Sequence, residues 1–112
     1  MAVTPLTSLS AFEQAIAGGT PAVVGFCATW AGLCRAIGPV FERYSELPEF
    51  TETVGFYRVD IDEAAAVARR ADVGPVPVFM AFREGTRIAE SVAPDPGSLR
   101  ELIAKVSTMG TP

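Results

Sequence analysis

The chain predicts an α/β sandwich, a central mixed β-sheet with helices packed against it. Three observations carry that expectation. Strand-like and helix-like segments alternate in the order β-α-β-α-β-α-β-β-α, the pattern of βα units with parallel pairing and right-handed crossovers. Ala22–Cys27 is an unbroken apolar run, as expected of a central strand covered on both faces. Glu84-Gly85 separates two further strand-like runs, which adds an antiparallel hairpin at one edge.

Val3 to Leu6 reads as a short edge strand, because Pro5 excludes it from a central position. Ser10-Ala11-Phe12-Glu13 matches a capping box, and Phe12, Ala15 and Ile16 then form a helical apolar stripe that Gly18-Gly19 ends. After the tight Thr29–Gly32 connection, a second helix is expected from about Gly32 to Glu46. Its apolar positions Leu33, Ile37, Val40, Phe41 and Tyr44 recur at spacings of three and four, and Pro39 kinks it. Thr53 to Ile61 alternates as a strand. Asp62-Glu63 opens an Ala-rich helix through Arg70, with acids first and arginines last as the helix dipole favours. Val73–Pro77 is a rigid approach to the strand Val78–Arg83, which turns into a strand from Arg87 to Val92. Pro94 to Gly97 is a loop, and Ser98–Val106 closes the chain as an amphipathic helix on Leu99, Leu102, Ile103 and Val106.

The chain has 112 residues, enough for one core, so residues 1–112 are expected to form a single domain. A net charge of −4, with the basic residues scattered, excludes nucleic acid as the main partner. There is no histidine, which removes the usual general base and the commonest metal ligand. Two cysteines, Cys27 and Cys34, are too few for a secreted disulfide scaffold or a four-ligand zinc site. Asp60, Asp62 and Glu63 are better explained by a helix start than by a metal, and no cofactor is expected. Gln14 to Cys34 carries no charge, but Gly18, Gly19 and Pro21 break it, so a buried strand is expected rather than a membrane span. Met1 to Ser10 has neither the basic nor the apolar part of a signal peptide, and a soluble, cytoplasmic protein is the expectation.

Phe26-Cys27-Ala28-Thr29-Trp30-Ala31-Gly32-Leu33-Cys34-Arg35 resembles the active-site segment of the thioredoxin family, F-W-A-x-W-C-G-P-C-K, and the match continues through Ile37 and Pro39. Arg58–Asp62 is similar to the family's K-V-D-V-D strand end, Val76-Pro77-Val78 to its cis-proline segment, and Phe82–Gly85 to its F-K-x-G hairpin. These anchors run in family order from about Pro21 to Val106. The resemblance implies a thioredoxin-like three-layer sandwich, a cis Val76–Pro77 bond, and a substrate groove formed by Trp30, Gly32, Leu33, Val76, Pro77 and Ala93. It also implies a protein or peptide partner, disulfide-containing, or glutathione.

The departures bear on chemistry. Family members attack a substrate disulfide with a thiol at the start of the second helix, and a second thiol three residues on resolves the mixed disulfide. Here the attacking position is Ala31, and Cys34 holds the resolving one. The family's buried Asp on the central strand corresponds to Gly25, its tryptophan behind the site to Cys27, the proline between the cysteines to Leu33, and a groove glycine to Ala93. The expectation is therefore an atypical member with little or no dithiol–disulfide reductase activity. Redox chemistry, where kept, falls to Cys34, with Cys27 as a further thiol on the same strand face as position 25. The alternative is a redox-silent binding module that uses the groove around Trp30 and Pro77.

Overall fold

A computed structural model describes residues 3–109. Its elements are β1 (Val3–Pro5), α1 (Leu9–Ile16), β2 (Ala22–Cys27), α2 (Gly32–Ser45), α3 (Pro48–Thr51), β3 (Gly55–Asp60), α4 (Ala65–Arg70), β4 (Val78–Arg83), β5 (Thr86–Val92) and α5 (Pro96–Ser107). The strands form one sheet in the order β1-β3-β2-β4-β5. β1, β3 and β2 run parallel, and β4 and β5 are antiparallel to their neighbours. β1 lies at an edge, where Pro5 removes no central ladder bond.

The apolar run of β2 is continuous because both faces of the strand are covered. Val23 joins Ile37, Phe41, Phe79, Leu99 and Ile103 in one cluster, on the side of α2, α3 and α5. Val24 and Phe26 join Phe12, Ile16, Val67, Met80 and Phe82 in the other, on the side of α1 and α4. The period of two along a strand sends Val23 and Gly25 to one layer and Val24 and Phe26 to the other. Three layers result, with β2 in the middle of the middle one.

Several boundaries differ from the expectations. The cap of α1 is Ser8, whose Oγ accepts from the Ala11 N–H at 3.1 Å, and Ser10 lies inside the helix. Phe12 and Ile16 are buried as the stripe requires. α4 starts at Ala65 rather than at the acids. Asp60 Oδ1 accepts the N–H groups of Asp62 and Glu63 at 2.9 and 3.2 Å, so these residues form a turn before the helix. Arg69 and Arg70 do occupy its last turn. The one-turn α3 was not expected; Pro48 opens it and Phe50 buries its side chain. In α2, Ile37 and Phe41 face the core, whereas Leu33 is 63% exposed. α5 starts two residues earlier than expected, on Pro96, because Asp95 caps it: Oδ1 accepts from the Ser98 N–H at 2.7 Å. Glu84 and Gly85 have φ of 54° and 81°, the positive values that a two-residue hairpin turn needs.

Gly25 faces Phe79 across the β2–β4 ladder. A Cβ on Gly25 would lie 2.6 Å from Phe79 Cε2. The ring cannot retreat freely, since Phe79 is 1% exposed and packs on Phe41 at a centroid distance of 4.9 Å. Gly25→Ala is therefore expected to destabilise the fold by about 1–3 kcal/mol in chemical denaturation, as overpacking does. In a Phe79→Leu background the same substitution should cost clearly less, a coupling that a double-mutant cycle reads directly. The Ser98 amide also holds the Asp95 carboxyl below the usual aspartate range. A carboxyl depressed in the folded state stabilises above its unfolded pKa, and that contribution is lost as pH falls through the folded value. Asp95→Asn keeps a capping oxygen without the charge, so its stability should change less than wild type's as pH drops below that range, in denaturation midpoints taken along an acid series.

Candidate functional site

The site is built where β2 ends and α2 begins. β2 delivers Cys27, whose backbone carbonyl accepts from the Ile61 N–H at 3.0 Å. Ala28 is buried, and its N–H donates to Cys34 Sγ at 3.4 Å. Arg35 Nη1 donates to the Thr29 carbonyl at 3.0 Å, which ties the connecting loop back to the helix. Ala31 is the N-cap of α2, with extended backbone and no side-chain acceptor for the helix amides. Gly32, Leu33 and Cys34 follow as its first turn. Cys34 is 6% exposed.

Trp30 is 66% exposed and still fixed: its Nε1 donates to Asp62 Oδ2 at 3.0 Å. The turn that Asp60 organises therefore places the residue that holds Trp30. This partner escaped the sequence reading because Asp62 was assigned to a helix start. The signal available was the Asp60-x-Asp62 spacing, typical of an Asx-type turn.

The tip of α2 separates two openings. On one side, Leu33, Ala36, Ile37, Pro77 and Ala93–Pro96 line a cleft of about 190 Å³. The Val76–Pro77 peptide is cis. The Ala93 N–H donates to the Pro77 carbonyl at 2.7 Å, and Ala93 is held at φ 47°, a left-handed conformation that favours glycine. Val76 is half-buried and Gly32 exposed. Trp30 lies at the tip outside this lining, so the residues expected to form a groove fall into a cleft group (Leu33, Pro77, Ala93) and a flanking group (Trp30, Gly32, Val76).

On the other side, a pocket of about 200 Å³ is lined by both cysteines, Thr29, Arg35, Arg58 and Asp60. Both cysteines are thiols, and both line this pocket. Burial pushes the Cys27 thiol well above the ordinary range; the hydrogen bond to Cys34 and the charges of Cys34 and Asp60 act in the same direction. Cys27 is thus a protonated, weak nucleophile at neutral pH. Arg58 is exposed at this opening, with Asp60 beside it on β3.

Below the thiols, a cavity of about 280 Å³ reaches Gly25, Gly38, Phe41 and Glu42. Glu42 was not singled out in the sequence. Its signal was the spacing Cys34, Gly38, Glu42, one helical face at intervals of four. Among the described residues, no group of three or more His, Cys, Asp or Glu is placed to hold a metal ion, and no helix is long and apolar enough to cross a membrane.

Residues 3–106 match the family model described as Thioredoxin. A thioredoxin of Malassezia sympodialis is 38% identical over 94% of this chain and 99% of its own length. The crystal structure of Malassezia sympodialis thioredoxin superposes with a TM-score of 0.90, covering 94% of this chain and 90% of that one at 38% identity. Thioredoxin-1 of Saccharomyces cerevisiae is 35% identical over 91% of this chain and 96% of its own. With the five-stranded order β1-β3-β2-β4-β5 flanked by helices, these matches show that the chain has the thioredoxin fold and belongs to the thioredoxin family.

Proposed function

We propose that this chain is a thioredoxin-family protein with little or no dithiol–disulfide reductase turnover, in which any redox chemistry is confined to Cys34 and its neighbour Cys27. The observation that carries the reading is Ala31 at the N-cap of α2. A helix N-terminus favours a thiolate there, and a methyl group has no lone pair with which to attack a disulfide. The remaining thiols do not replace it. Cys34 lies one turn into the helix, out of reach of a protein disulfide at the tip, and burial raises the Cys27 thiol. Gly25 also offers no acid beneath them.

A second reading is favoured by the surface itself. Leu33, at 63% exposure, lines an apolar cleft with Pro77 and Ala93, and Trp30, at 66% exposure, stands at the helix tip outside that lining. Large apolar side chains held in place beside a cleft suit an extended peptide segment. Thioredoxins work on protein partners, and a similar chain comes from a structural study of thiol resolution in a yeast mitochondrial 1-Cys peroxiredoxin via glutathione/thioredoxin systems (26% identity, TM-score 0.81, 92% of this chain and 94% of that one). A protein or peptide ligand that docks without disulfide exchange is the corresponding role here.

Reduction of insulin disulfides with dithiothreitol as electron source tests the first reading. Wild type is expected to match the buffer rate, and Ala31→Cys to exceed wild type by about tenfold or more, a barrier lowered by about 1.4 kcal/mol. Wild-type turnover equal to that of Ala31→Cys would sink the proposal. For the second reading, displayed peptides selected on wild type should lose about tenfold or more in affinity on Trp30→Ala, the behaviour of an aromatic anchor. Selected peptides indifferent to both Trp30→Ala and Leu33→Ala would place docking elsewhere.

A further inference from the structure

Glu42 Oε2 is buried and has no hydrogen-bond partner among the described residues. Such an oxygen is rare enough in folded proteins to need a reason. Cys34, Gly38 and Glu42 lie four residues apart on α2 and share one face. Gly38 carries no side chain, so nothing on the helix stands between acid and thiol. All three line the 280 Å³ cavity together with Gly25, Cys27 and Arg58. Water takes about 30 Å³ per molecule in the liquid, so the cavity has room for a proton-carrying chain between carboxylate and sulfur. The outer pocket with Arg35 and Asp60 shares Cys27, Cys34 and Arg58 with this cavity. The two thiols therefore sit between an opening to solvent and a half-buried acid whose inward oxygen is unpartnered among the described residues.

We infer that Cys27 and Cys34 form a dithiol–disulfide couple entered from the Arg35–Arg58 side, with the inward oxygen of Glu42 as the proton acceptor that lets the couple close. The co-reactant is a small anionic disulfide, of which glutathione disulfide is the type, because Arg35 and Arg58 offer two guanidinium groups to its carboxylates. Cys34 loses its proton to solvent and its sulfur attacks one sulfur of the small disulfide. That S–S bond breaks, and the first small thiolate leaves and takes up a proton. Cys27 then passes its proton through the cavity to Glu42 and attacks Cys34 Sγ. The Cys27–Cys34 bond forms, and the second small thiolate leaves and is protonated in turn. Two protein thiols are oxidised and one small disulfide is reduced to two thiols.

The closing step needs an acceptor because burial holds the Cys27 proton tightly. Asp60 is poorly suited, since its Oδ1 already accepts two backbone N–H groups, and position 25 is glycine. Glu42 supplies from the helix what the central strand lacks. The inference rests on the reading that redox chemistry sits at Cys34, and not on the loss of reductase turnover.

The test is a time course of the folded chain in glutathione disulfide, acid-quenched, alkylated and analysed by mass spectrometry. Wild type is expected to lose two hydrogens as a Cys27–Cys34 disulfide. Cys27→Ser should stop at one glutathione on Cys34. Glu42→Gln should slow closure about tenfold or more, the usual scale for loss of a proton acceptor, and accumulate the glutathione adduct. In the Cys27→Ser background, Glu42→Gln should leave the rate of adduct formation unchanged, a split that a merely structural role would not produce. Glu42→Asp keeps an acid and should recover part of the closure rate; it also carries the comparison with wild type if the Gln variant does not fold. Closure at the wild-type rate in Glu42→Gln, equal slowing of both steps, or no disulfide in the folded wild type would each overturn the inference. The insulin assay is a separate readout, so a wild-type chain active there would fail the reductase reading and leave this result standing.

Discussion

The position of β2 constrains everything else. It is hydrogen-bonded to β3 on one side and β4 on the other, and helices cover both its faces. Each residue on it must therefore share a fixed volume with its cross-strand and cross-layer neighbours. At position 25 that volume is shared with position 79, and only one of the two can carry a large side chain. Here the ring is on Phe79. Burying a phenyl group contributes about 1.5–3 kcal/mol, whereas an ionised carboxylate in the same place would have to be paired to be tolerated. Stability and buried acid chemistry compete for one site, and the packing resolves the competition in favour of stability.

At the helix tip, Ala31 opens α2, and the loop that leads to it is held in place from both sides. Ala31 caps α2 without a side-chain acceptor, so the amides of the first turn are left to solvent or a ligand. The loop leading into the tip is tied down by Arg35 to Thr29 and by Trp30 to Asp62. The fold needs that loop to pass the chain from the central strand to α2. Its geometry is held by side-chain contacts of Trp30 and Arg35 and by the backbone of Ala31, none of which uses the side chain at position 31.

Element types were legible in the sequence because they follow from periodicity: the unbroken run of β2, the three-and-four spacing of α2, the Glu84-Gly85 turn. Boundaries were less so, because side-chain caps compete over short distances. Ser8 and Ser10 are equally good acceptors by residue type, and the tertiary placement of Phe12 and Ile16 selects Ser8. Asp60, Asp62 and Glu63 read as a helix start until Asp60 is seen to use its carboxylate on the next two amides. Of the site, the residues matching a family motif were legible. Glu42 was not, because a carboxylate on an amphipathic helix ordinarily reads as part of the solvated face.

The two openings beside α2 put the Leu33–Pro77–Ala93 cleft and the thiols on different sides of the helix tip. In a dithiol enzyme the groove brings a substrate sulfur to an exposed thiolate at the helix tip, so binding and exchange are one event. On the proposed reading, a segment lying in the Leu33–Pro77–Ala93 cleft meets a methyl group at the tip, and its residence is governed by dissociation alone. The sulfurs open on the other side, toward Arg58 and Asp60. A bond between Cys27 and Cys34 would join the end of β2 to the first turn of α2 and constrain the loop between them, which carries Trp30. On the proposed reading, the oxidation state of the thiol face would then reach the docking face through six residues of backbone, without either ligand touching the other.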